Sequence, residues 1–183
     1  FKRQLIVSIL LILMVSGAAT FADSQAPKKA TTTSSIQLTF TGDLCLGTPF
    51  GKTNRFHALF KEKGAAYFLK KLQPILALDD FSIVNLENVF TKNNKAFPGK
   101  IWSYRADPKY LDVLKTSSIE VASLANNHMQ DFHQSALDET IKLLDDSGIK
   151  PTGFNDYLKG PEIGGASMNR MAIVEKNGIK VGI

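Results

Sequence analysis

The sequence holds a single cysteine, Cys45, and a single tryptophan, Trp102. A lone thiol excludes an internal disulfide framework, even in an oxidising compartment. No internal repeat is present, and no basic run is interleaved with aromatics. The net charge of +5, two units of it from Lys2 and Arg3, therefore gives no reason to expect nucleic-acid binding. Long apolar runs are also missing: Leu5 to Val15 is shorter than the ~20 residues that span a bilayer as a helix.

What is there begins with a layout for export. Lys2 and Arg3 precede the apolar run, small residues follow (Ser16, Gly17, Ala18, Ala19), and Thr20-Phe21-Ala22 places small residues at the −3 and −1 positions of a cleavage site. Residues 1–22 are thus expected to form a signal peptide or membrane anchor. No cysteine lies in Ala18–Ala22 to carry a lipid. Residues 23–35, rich in Ser, Thr, Ala, Lys and Pro, read as a flexible linker, and 36–183 as the folded part. The expected location is outside the cytoplasmic membrane, on its extracellular face or secreted. The chain starts at Phe1 rather than methionine. It stops just after the Asn177-Gly178 hairpin signal, so further residues are expected at both ends.

Three segments share one design. "SIQLTFTGD" ends on Asp43, "FSIVNLE" on Asn85 and Glu87, and "IEVASLANNH" on Asn126, Asn127 and His128. Helical patterns separate them. Gly64 to Leu78 repeats Phe68, Leu72, Ile75 and Leu76, with Pro74 marking a kink or a second start. Asp107-Pro108 is a capped start. A third helix carries Leu137, Ile141 and Leu144 on one face and leaves through Gly148. Alternating strands and helices imply parallel pairing and an α/β fold.

Ligands of parallel sheets collect beyond the carboxyl ends of the strands. All three strands end there on oxygen or imidazole donors. Turn chemistry alone explains one Asn-Asn-His but not three coincident polar ends. Asp43, Glu87, Asn127 and His128 are donors that suit Mn²⁺, Mg²⁺, Ca²⁺ or Zn²⁺, so a metal site is expected.

The ordered strings "TGDLCLG" (41–47), "NLENVFT" (85–91), "SLANNHMQD" (123–131) and "ALDETIKLLDDSGIKPTG" (136–153) resemble the bacterial poly-γ-glutamate capsule synthesis proteins of the CapA type. That resemblance implies a metallophosphoesterase-like layered α/β sandwich, cut short at the C-terminus, around a two-metal centre. Asp43 would ligate from the first strand and Glu87, with Asn85, would replace a bridging aspartate. Asn127 would ligate through its amide oxygen while His128 protonates the leaving group. The ligand histidines of such centres would have to follow Ile183. Family members commonly carry glycine at the place of His133. Cys45 stands where related enzymes have a histidine and family members an apolar residue, so it is expected to be packed.

The remaining polar residues have plainer readings. Asp131 suits a helix N-cap, paired with Gln134 in a capping box, and can also orient His128. Asn126 reads as a turn residue, His133 as surface, and His57 as a loop residue with no evident partner. Trp102, Tyr104 and Arg105 form either a packed strand or a groove for an anionic polymer. Two functions follow. One is a cell-surface hydrolase acting on a phosphoester or on a polymer such as poly-γ-glutamate. The other is a non-catalytic accessory, working beside membrane-bound capsule synthase subunits.

Overall fold

Runs of β-branched and aromatic residues set the frame, because they suit the pleated, half-buried surface of a sheet. In the computed structural model the elements run β1 (Leu38–Leu44), β2 (Thr48–Pro49), α1 (Arg55–Lys63), a 3₁₀ turn (Ala65–Tyr67), α2 (Gln73–Leu76), β3 (Phe81–Leu86) and β4 (Val89–Phe90). They continue with β5 (Tyr104–Ala106), a second 3₁₀ turn (Pro108–Leu111), α3 (Asp112–Lys115), β6 (Val121–Ser123), α4 (His133–Asp146), β7 (Lys150–Thr152), β8 (Ile173–Lys176) and β9 (Ile179–Gly182). Residues 34–49, 52, 55–154 and 170–183 are described, and they belong to one compact unit, Ser34–Ile183. The expected signal segment and most of the linker lie outside the described residues. Among the described residues no helix is long and apolar enough to cross a membrane.

The central sheet has the order β1-β3-β6-β7, and every neighbouring pair is parallel. This is the mixed α/β, metallophosphoesterase-like fold with a parallel sheet at its centre. Both faces of the sheet are covered at β3 and β6, as parallel strands require, while the edge strand β1 is largely exposed. Successive side chains of β3 point to opposite faces. Val84 and Leu86 join the core formed with Val113, Leu114, Phe132, Leu137 and Leu144 from the helical layer. Ile83 and Val121 join Ala172 and Val174 beneath the β8–β9 hairpin. The hairpin turns on Asn177 (φ 53°) and Gly178 (φ 78°), the two positive φ values of a type I′ turn.

Several local expectations change. Of the two readings of Pro74, the second start holds, since the separate short helix α2 begins there, but the apolar repeat is not a buried face: Leu72, Ile75 and Leu78 are exposed. His57 lies within α1, not a loop, and its Nδ1 meets the Tyr110 hydroxyl at 2.7 Å. Asp107 does cap its turn, accepting from Lys109 N at 3.1 Å. Gly148 leaves α4 at φ 77°. Tyr104 and Arg105 belong to β5 of a small second sheet, β2-β5-β4, while Trp102 is exposed.

Candidate functional site

At the carboxyl edge of the central sheet, β1 shifts register between Phe40 and Asp43, and Asp43 pairs with Asn85 of β3. The irregularity re-aims the strand end, a usual use of a bulge beside a site. Asn85 Nδ2 donates to Asp43 Oδ1 at 2.7 Å. Asn126 Nδ2 donates in turn to Asn85 Oδ1 and to Leu86 O, both at 2.9 Å. The Asn126 Oδ1 accepts from His128 N at 3.0 Å. A relay of side-chain amides thus joins three strand ends and sets the backbone of His128. Asn126 is a turn residue, as its position suggested, and also the pivot of that relay.

His128 is held on both ring nitrogens. Nδ1 lies 2.8 Å from Asp131 Oδ2 and Nε2 lies 3.2 Å from Asn127 Nδ2. Asp131 accepts and the Asn127 amide donates, so both contacts call for the tautomer with its proton on Nδ1. The Tyr104 ring stands edge-on to the imidazole, 4.6 Å between centroids.

Asp131 is not the helix cap that the sequence suggested. The cap position of α4 is Phe132, which makes no side-chain cap bond, and Gln134 bonds Asp138 at 2.9 Å instead. The Asp131 side chain is fully buried. Its carboxylate accepts from Tyr104 N at 2.6 Å, from His128 and from Lys100 Nζ, which also donates to Asn127 O. The Asp131 main-chain oxygen accepts from Phe97 N at 2.7 Å. Burying a carboxylate is costly unless it is paired and hydrogen-bonded. Here the donors needed to offset that cost are all present. Nothing in the local pattern marks Lys100: it sits between Gly99 and Ile101 in a loop without periodicity, and only the fold brings it to Asp131.

Glu87 follows β3, half-buried, with its amide bonded to Leu44 O at 3.0 Å. Cys45, just past the end of β1, is exposed, not packed; its neighbour Leu46 is the residue that enters the core. Desolvation by neighbouring atoms raises its thiol above the ordinary value despite that exposure, and the charges of Glu87 and Asp131 raise it further.

The expected ion-binding residues are thus brought to one edge, but as an incomplete set. Among the described residues no three His, Cys, Asp or Glu side chains converge. Asp43 Oδ1 and Asn85 Oδ1 already accept amide hydrogens. Asp43 and Glu87, with amide oxygens from Asn85 and Asn127, supply too few donors for two ions, each of which needs its own shell. The described residues do not by themselves fit a two-metal centre.

The family described as bacterial capsule synthesis protein, PGA_cap, matches residues 37–183. The chain belongs to that family. It is similar to the capsule biosynthesis protein CapA of Bacillus anthracis, with 24% identity over 164 residues, covering 86% of this chain and 38% of CapA. It is also similar to a probable polyglutamine synthesis accessory protein of Mycobacterium tuberculosis, 32% identical over 74 residues, or 40% of this chain and 20% of that protein. The chain therefore aligns with well under half the length of these relatives.

Proposed function

We propose that this chain supplies a hydrolase-like centre acting on a glutamate capsule polymer, with His128 as the proton-transferring group and Asp131 as the residue that orients it. The observation that carries the reading is the fully buried Asp131 carboxylate on His128 Nδ1. It commits Nδ1, so Nε2, which the Asn127 side-chain amide approaches at 3.2 Å, is the nitrogen left to exchange protons when a ligand displaces that amide. Nε2 can then take a proton from water or, once protonated, return one to a leaving group. Supporting the choice of polymer are the family itself and the relatives' names, capsule biosynthesis and polyglutamine synthesis. Work outside the cytoplasmic membrane is part of the proposal, and rests on the charged start and apolar run of residues 1–22.

One relative is named an accessory protein, which favours a second reading: the same pocket holds polymer for the synthesis machinery and cuts nothing. Complementation of a deletion strain separates the two. If His128 transfers protons, His128→Ala and Asp131→Asn, expressed at wild-type level, alter polymer yield or length, with turnover falling by ~10²–10⁴ for the histidine variant. If both variants restore wild-type polymer while the deletion does not, the hydrolase-like centre is wrong and the accessory reading stands.

A further inference from the structure

We propose that the strap from Lys92 to Arg105 is the rim on which a linear polycarboxylate docks beside His128; this rests on the capsule-polymer reading and adds where the polymer is held. Between Asn88 and Asp107 the chain carries Lys92, Lys95, Lys100 and Arg105 and no acidic residue. On this strap Lys100 is paired with Asp131; elsewhere some surface lysines are likewise compensated, Lys115 lying 3.0 Å from Asp112, Lys142 2.5 Å from Asp146 and Lys180 3.5 Å from Glu175. Lys92 and Lys95 are exposed, with no ion pair among the described residues. Uncompensated cations on one segment concentrate an opposite charge there.

These cations are fixed to the site rather than carried on a free loop. Phe97 N, Lys100 Nζ and Tyr104 N all bond Asp131, and Asn93 Nδ2 reaches Phe132 O at 3.4 Å. Arg105 is steadied by Thr91 O at 3.3 Å and lies over the Phe132 ring at 5.9 Å. The strap's outer side is apolar: Phe97, Ile101 and Trp102 are 49%, 87% and 55% exposed. A glutamate polymer offers the matching chemistry, a carboxylate and a short aliphatic stretch in every residue. Ammonium groups meet the first, and the exposed aromatic and aliphatic surface meets the second.

Trp102, the single tryptophan, reports binding directly. Titrating poly-γ-glutamate into the protein should change its fluorescence saturably, more weakly as salt rises. Lys92→Gln/Lys95→Gln should weaken binding about tenfold, whereas Lys142→Gln/Lys180→Gln, an equal charge loss elsewhere, should have little effect. Equal weakening by both pairs, or binding of a single-stranded oligonucleotide as tight as that of the polymer, overturns the proposal. Polymer binding to the wild type that ignores Lys92 and Lys95 overturns the strap alone and leaves the capsule reading intact. Absence of any polymer binding removes both.

Discussion

His133 begins α4 at φ 67°, a left-handed conformation that costs a residue with a Cβ roughly 1–2 kcal/mol and glycine almost nothing. That is the physical reason for the glycine that the resemblance places here. The side chain is exposed, and its main contact is the Phe97 ring at 5.3 Å between centroids, so little is lost with it. His133→Gly should leave stability unchanged or raise it by up to ~1 kcal/mol, relief of strain being partly offset by the greater freedom of unfolded glycine. His133→Val should lower it, since a β-branched residue at positive φ is a true outlier. Thermal unfolding of both variants tests the point. A glycine variant less stable than wild type by more than ~1 kcal/mol would show that the ring contact outweighs the strain.

At the scale of elements, what the sequence revealed depended on length and period. β1, β3 and α4, and the apolar run Ile119 to Ala125 in which the short β6 lies, repeat their apolar residues over enough positions to be read, and Asn177-Gly178 announces its turn. β7 does not: it is three residues long with Pro151 in the middle, tolerable because β7 is an edge strand of the sheet. The second sheet is similarly silent, its strands being two or three residues long and held by the tertiary fold rather than by local preference. The polar strand ends were legible. The bonds among them were not, because Asp43, Asn85, Lys100 and the stretch from Asn126 to Asp131 come from four separate segments that only the fold assembles. Gly153, just past β7, shows how close that assembly is. Its φ is 80°, and an added Cβ would lie 2.7 Å from the Cβ of Ala125, directly before Asn126. Gly153→Ala should therefore destabilise by about 2 kcal/mol or more, combining positive φ with overpacking. Urea denaturation measures it. A loss below ~0.5 kcal/mol would mean that the loop holding Asn126 gives way freely.

For the molecule as a whole, these layers hold part of an ion-binding centre. The sheet edge brings Asp43, Asn85, Glu87 and Asn127 together, yet the hydrogen bonds of that edge are largely satisfied within the protein. Asn85 donates to Asp43, Asn126 occupies the Asn85 oxygen, and the Asp131 carboxylate is taken by Lys100, Tyr104 and His128. An ion must displace the Asn85 amide to claim Asp43 Oδ1, or content itself with Oδ2 and Glu87. Two carboxylates and amide oxygens describe a weak, oxygen-rich site of the kind whose dissociation constant lies near ~10⁻⁴–10⁻³ M. Calorimetric titration of this chain with Mn²⁺ should accordingly show no binding tighter than ~0.1 mM. What binding there is should fall further in Asp43→Asn and in Glu87→Gln, since each removes one of the two anionic donors. Both variants should keep the fold, because Asp43 is exposed and Glu87 half-buried. Circular dichroism before each titration separates a lost ligand from a lost fold. Saturable uptake of two Mn²⁺ ions at micromolar concentration, untouched in either variant, would place the ion's ligands elsewhere in the chain and remove Asp43 and Glu87 from the site.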